Sequence, residues 1–187
     1  MSSKPDRVAG DPFGESDALV VIQDALFEVP GIVPAAKAMS LFGEHSAGWL
    51  ALAGAGWLAS GGRRRREWAT VGAAAFTSHA ASVVLKRIVR RPRPHDPRVR
   101  VGVGTPSQLS FPSSHATSTT AALVAIADMT GSRLPWAGVP AIMASRLVLG
   151  VHYPTDVTAG ALLGWATARA ARAARAVASR EPGESIR

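Results

Sequence analysis

The chain has 187 residues, 47% of them hydrophobic and 18% charged, with a net charge of +8 and no cysteine. That length suits one domain, and the missing thiols exclude disulfides and thiolate metal sites. Low charge content with a basic balance leaves two broad classes, a nucleic-acid binder or a small membrane protein with basic loops.

Residues 1–15 read as a polar tail, and the opening MSSKPDRVAGDPFGESD lacks the basic-then-apolar order of a cleaved signal peptide. Any membrane insertion must therefore come from internal segments. In SDALVVIQDALFEV, Leu19, Ile22, Leu26 and Val29 recur near helical spacing, which predicts an amphipathic helix lying on a membrane surface. A second short helix, IVPAAKAMSLFGE, follows Pro30-Gly31. Beyond it come apolar segments that predict spans over residues 46–60, 67–89, 114–130, 135–151 and 155–171. Pro92, Pro94, Pro97, Pro106 and Pro112 rule out a continuous helix between the second and third. The abundant Ala, Gly, Ser and Thr are the residues that tightly packed membrane helices use at their contacts. The expected fold is an all-α integral membrane bundle of about five spanning helices with short interfacial N-terminal helices. A single domain is expected over residues 16–178, with a C-terminal tail over 179–187. An alanine-rich soluble bundle is the competing architecture.

If each segment crosses once, Arg63–Arg66, Arg133, Arg169, Arg172, Arg175 and Arg180 share one side. The positive-inside rule makes that side cytoplasmic, and Trp68 and Trp136 open their helices at the same interface. The loop 86–112 on the other side is also basic. The same crossing count gathers three clusters at that opposite face. They are Lys86 to Pro94, then Pro112-Ser113-Ser114-His115, then Ser145-Arg146 followed by His152 and Asp156.

Chemistry gives these clusters a common purpose. Lys86, Arg93 and Arg146 form a cationic bowl suited to phosphate oxygens. Ser113 and Ser114 stand where a helix N-cap belongs, so backbone N–H groups and the helix dipole face the same anion. Asp156, in the first turn after Pro154, is placed to accept an N–H from His152 and fix its tautomer. One histidine then attacks phosphorus while the other protonates the leaving oxygen.

The three clusters resemble the signature motifs of the type 2 phosphatidic acid phosphatase superfamily. Lys86 with Arg93-Pro94 after six residues resembles the first, Pro112-Ser113-Ser114-His115 the second, and Ser145-Arg146-x5-His152-x3-Asp156 the third. Ser114 stands where the family pattern has glycine, and Arg91-Pro92 repeats the Arg-Pro dipeptide, so Arg91 is held as an alternative to Arg93. The resemblance implies that His152 is the nucleophile forming a phosphohistidine, with Asp156 its partner and His115 the acid. It implies phosphate binding by Lys86, Arg93, Ser113, Ser114 and Arg146, and chemistry that needs no metal or cofactor. The implied substrates are lipid phosphates in a cell membrane crossed several times, with the site facing the extracytoplasmic side. Polyprenyl phosphates or diphosphates, phosphoribosylated polyprenyl phosphate among them, come first. Phosphatidylglycerophosphate and phosphatidic acid are the alternatives.

Plainer readings apply to single residues. Pro-Ser-Ser-His is a common N-cap, and Arg146 with Asp156 makes a structural ion pair in the alternative reading. His79, seven residues before Lys86, reads as a polar residue between helices, and His45 and His95 as solvated loop residues. Arg63–Arg66 reads as a topology anchor, because no aromatic stacking platform for nucleic acid accompanies it. The rivals to a lipid phosphatase are a vanadate-dependent haloperoxidase, which the resemblance also covers, and a non-enzymatic basic membrane scaffold.

Overall fold

The computed structural model describes residues 11–178. Among these residues seven α-helices follow one another: α1 (Ser16–Leu26), α2 (Ile32–Gly43), α3 (Ala47–Leu58), α4 (Gly62–Val89), α5 (Ser114–Thr130), α6 (Gly138–Val148) and α7 (Pro154–Ala178). Among the described residues the one departure from helix and loop is an isolated bridge between Pro92 and Leu109. The helix starts and stops follow local chemistry. Ser113 caps α5, its hydroxyl accepting from the Ala116 N–H at 3.4 Å. Gly131, with φ +70°, closes the same helix in the left-handed conformation that glycine adopts without strain.

Helices α4, α5 and α7 form the centre, with α3 against α4 and α6 against α5. Their contacts are made of small side chains. Val71, Ala74 and Ala75 of α4 pack with Ala121, Ala122 and Val124 of α5 and Ala168 of α7. On α7, a Cβ placed on Gly160 would lie 2.7 Å from the Ser113 carbonyl oxygen and 3.2 Å from Ala116 Cβ, so only glycine lets these backbones approach. Trp49 of α3 donates its indole N–H to Thr119 of α5 at 3.0 Å, satisfying two polar groups in an apolar setting. Large apolar side chains such as Leu58, Phe76, Ile88 and Leu162 face outward.

The helices depart in detail from the expected spans. Among the described residues Gly62–Val89 is the one helix both long and apolar enough to cross a membrane by itself, and Leu134–Val148 is a shorter apolar stretch. The segment expected over 135–151 is a 3-10 turn, Leu134–Ala137, leading into the 11-residue α6. The segment expected over 46–60 is a helix of 12 residues, about 18 Å long.

The N-terminal region differs more. Residues 1–10 and the tail 179–187 lie outside the described residues, yet Asp11 and Glu15, placed in the polar tail by sequence, are buried. Helix α1 keeps Ile22 and Leu26 half-buried. It buries Leu19 against Val99 and Tyr153, and Gln23 bonds to Arg100 N (2.8 Å), Arg100 O (2.7 Å) and Val148 O (2.9 Å). Val29 falls outside the helix and is exposed. Helices α1 and α2 therefore roof the end of the bundle where the three motif clusters meet. At the other end, buried Glu67 gathers Arg63 (2.9 Å), Arg64 (3.3 Å) and Arg175 (3.6 Å), so part of the arginine run has structural partners. Trp68 is half-buried and packs over Gly56 of α3.

Candidate active site

Three junctions build the site: the end of α4 with the loop 90–112, the start of α5, and the turn between α6 and α7. Helix α4 stops at Arg90, whose φ of +56° turns the chain out of the helix. The loop then doubles back, with Arg93 N donating to Gln108 O (3.2 Å) and Ser110 N to Arg91 O (2.8 Å). This places Arg93 beneath a cavity of about 340 Å³ whose lining includes Lys86, Arg93, Ser114, His115, Arg146 and His152. Six of the eight sequence-chosen residues thus meet on one cavity. The other two stand behind it: Ser113 is fully buried as the α5 cap, and Asp156 is fully buried beside His152.

His152 lies at the centre. Arg93 Nη1 sits 3.2 Å from His152 Nε2 and donates 2.6 Å to the Val151 carbonyl. A guanidinium only donates, so Nε2 accepts and the proton resides on Nδ1. On that other side Asp156 Oδ2 lies 3.4 Å from Nδ1. This carboxylate accepts from Tyr153 N–H (2.8 Å, Oδ2) and Arg91 Nη1 (3.0 Å, Oδ1). The imidazole is held in one tautomer, with its Nε2 lone pair on the cavity side. Burial first, then the nearby Arg93 cation, hold the His152 ring well below its ordinary pKa, so it is neutral. Burial also brings Arg93 down to about 10, which leaves it a cation.

Around this centre the positive charge is concentrated and incompletely satisfied. Lys86 Nζ donates to the carbonyls of Leu109 (3.1 Å) and Ser110 (2.8 Å). The Arg146 side chain is 1% exposed, and its Nε and Nη1 have no hydrogen-bond partner. It does not pair with Asp156, which instead faces Arg91 and His152. A buried guanidinium with idle donors is costly unless an anion completes it. The N-terminus of α5 opens on the same cavity through Ser114 and His115, adding the positive end of its dipole. Ser114 is not among the residues with positive φ, so its place in the helix requires no glycine. Its hydroxyl sits 2.8 Å from that of Ser82.

His115 reaches up to the roof. Its Nε2 lies 2.8 Å from the Ser40 carbonyl of α2, which can only accept, so this nitrogen carries a proton. A Cβ on Gly43 would stand 2.7 Å from His115 Cδ2, so α2 approaches the ring closely. Ser40, Gly43 and Ser82 were invisible as site residues, since nothing local sets them apart. His79 had a signal, its seven-residue offset from Lys86, and it does line the cavity. His45, exposed beside it, has its ring 6.1 Å from that of His79, whereas His95 is an exposed loop residue. Of the two Arg-Pro arginines, Arg93 faces the cavity and Arg91 grips Asp156 from behind.

Residues 67–179 match the family model described as the PAP2 superfamily. The chain is 60% identical over 149 residues to the decaprenylphosphoryl-5-phosphoribose phosphatase of Mycolicibacterium smegmatis, covering 80% of this chain and 82% of that protein. It is 53% identical over 153 residues to the protein of the same name from Mycobacterium tuberculosis, covering 82% and 86%. In structure it resembles a transmembrane PAP2-type phosphatidylglycerolphosphate phosphatase from Bacillus subtilis, with TM-score 0.70 at 20% identity, over 91% of this chain and 90% of that one. The chain belongs to the PAP2 superfamily.

Proposed function

We propose that the chain is a lipid phosphate phosphatase that acts on decaprenylphosphoryl-5-phosphoribose, the compound in the names of its relatives, through a phosphohistidine on His152. One observation carries the reading. A neutral imidazole with Nε2 unprotonated, 3.2 Å from Arg93 Nη1, faces the same cavity as Lys86 and the partnerless N–H groups of Arg146. Such a cavity favours a phosphate dianion and, still more, the added charge of a trigonal-bipyramidal phosphorus.

In the first step His152 Nε2 forms a bond to phosphorus as the ester P–O bond breaks. The leaving oxygen takes the Nδ1 proton of a doubly protonated His115, whose Nε2–H stays on the Ser40 carbonyl. Asp156 stabilises the charge that develops on the His152 ring. Water then attacks phosphorus, His115 takes its proton, and the P–N bond breaks to release inorganic phosphate. Lys86, Arg93, Arg146, Ser114 and the α5 N-terminus hold the phosphoryl oxygens, while Ser113 serves by capping that helix.

The outward-facing Leu58, Phe76, Ile88 and Leu162 support a multi-pass location in the cell membrane. The arginines around Glu67 and Asp128 favour the cytoplasm for that end, so the site opens to the extracytoplasmic side. The test is phosphate release from a panel of lipid phosphates in EDTA, with wild type beside His152→Ala. Release from the phosphoribosyl lipid in wild type and none in the variant is expected. Loss of wild-type activity in EDTA, or full activity in the variant, overturns the mechanism. Preference for phosphatidylglycerophosphate or phosphatidic acid overturns the substrate.

A further inference from the structure

We infer that Glu15 is a positioning residue for this reaction, fixing Arg91 and through it the Asp156–His152 pair that presents the attacking nitrogen. This inference rests on the reading of His152 as nucleophile. Glu15 belongs to no motif and is 137 positions from His152 in the chain. Yet its Oε2 accepts from Arg91 Nη2 (2.7 Å) and from the Thr155 hydroxyl (2.7 Å), and its Oε1 accepts from Thr155 N–H (2.7 Å). Arg91 uses its other arm, Nη1, on Thr155 Oγ1 (2.7 Å) and Asp156 Oδ1 (3.0 Å). Its guanidinium also stacks on the Tyr153 ring at 3.9 Å. The Asp11 carboxylate accepts from the N–H groups of Glu15 (2.6 Å) and Ser16 (2.8 Å), which holds the backbone from which Glu15 projects. Glu15 and Arg91 are each 9% exposed and neither lines the cavity.

The physical consequence follows from guanidinium geometry. A planar fork facing one carboxylate tends to take both of its oxygens. With Nη2 held by Glu15, Arg91 reaches Asp156 through Oδ1. Oδ2 is left for Tyr153 N–H and the Nδ1 edge of His152. Glu15 also offsets the charge of Arg91, so Asp156 retains the negative charge that must stabilise the His152 ring as phosphorus is attacked. At the same time Glu15 anchors the first turn of α7, the element that carries Asp156. A residue acting this way lowers the barrier without touching the bound phosphate.

Kinetics on the full chain in detergent with the phosphoribosyl lipid separates this role from a merely structural one. Glu15→Gln is expected to lower kcat about 10- to 100-fold, the scale on which partners that orient metal-bound histidines act, with KM within about twofold. Arg91→Met should do the same, and the double variant should be slower than Arg91→Met by much less than the factor that Glu15→Gln shows alone, because only the Thr155 contact is then left to Glu15. If Glu15→Gln does not fold, as read from circular dichroism, Thr155→Val takes its place. There a loss of kcat at unchanged KM supports the role, and wild-type kcat overturns it. A loss confined to KM, or multiplicative losses in the double variant, also overturns it. An inactive His152→Ala beside wild-type kcat in Glu15→Gln refutes the role of Glu15 alone. An active His152→Ala refutes the reading on which it stands.

Discussion

Arg146 combines 1% exposure with two guanidinium N–H donors that have no partner, in a cavity that also holds Lys86 and Arg93. Three basic side chains confined together repel one another and lack full hydration, a cost that the phosphate of the proposed substrate would offset. Arg146→Met should therefore separate stability from function. The thermal midpoint in phosphate-free detergent should stay level or rise, while kcat/KM falls at least about 100-fold, the scale of losing a preorganised donor to the transition state. A lowered midpoint would show that Arg146 stabilises the empty fold and refute this account. At this scale much was readable beforehand, since residue types at motif spacing name their chemistry. What spacing did not show is direction. Arg91 and Arg93 are chemically identical and two positions apart, and they grip the His152–Asp156 pair from opposite ends.

Among the helices, the contact between α5 and α7 is the one on which the site geometry depends. Gly160 lies against the carbonyl of Ser113, in the turn that presents Ser114 and His115. Gly160→Val places carbon against a backbone oxygen that cannot rotate aside, so the helices must part. A destabilisation of about 1–3 kcal/mol is expected from overpacking, together with loss of activity as the second motif shifts away from the third. Gly54 in α3 is the control, because a Cβ there meets nothing within 4 Å. Gly54→Ala should leave activity unchanged and match or exceed wild-type stability, in line with helix propensity. Unfolding midpoints and phosphate release for both variants check this. A stable, active Gly160→Val would refute the close-packing account. Helix existence was readable from periodicity and proline placement. The packing of α1 was not, because Leu19 and Gln23 share a face whose partners are Val99, Arg100, Val148 and Tyr153, all far along the chain.

For the molecule as a whole, the motifs and the Glu67 and Asp128 ion-pair clusters lie at opposite ends of the bundle. The site, its roof and the loop 90–112 occupy one end, and the Glu67 and Asp128 arginine clusters the other. With no native cysteine, topology is open to direct labelling. In intact cells a membrane-impermeant maleimide should label Gln108→Cys and spare Ser132→Cys until the membrane is permeabilised, as both positions are exposed and lie at opposite ends of α5. The reverse pattern would invert the orientation. The sequence by itself determined the helical class, the α5 cap at Ser113 and the gathering of three motifs at one end, because periodicity, capping and crossing number are local or additive properties. The tertiary structure alone decided that Arg93 faces the cavity, that Ser40 holds His115 and that Glu15 stands behind Arg91. Those contacts join residues 59, 75 and 76 positions apart, and no local pattern encodes which side chains meet when the chain closes on itself.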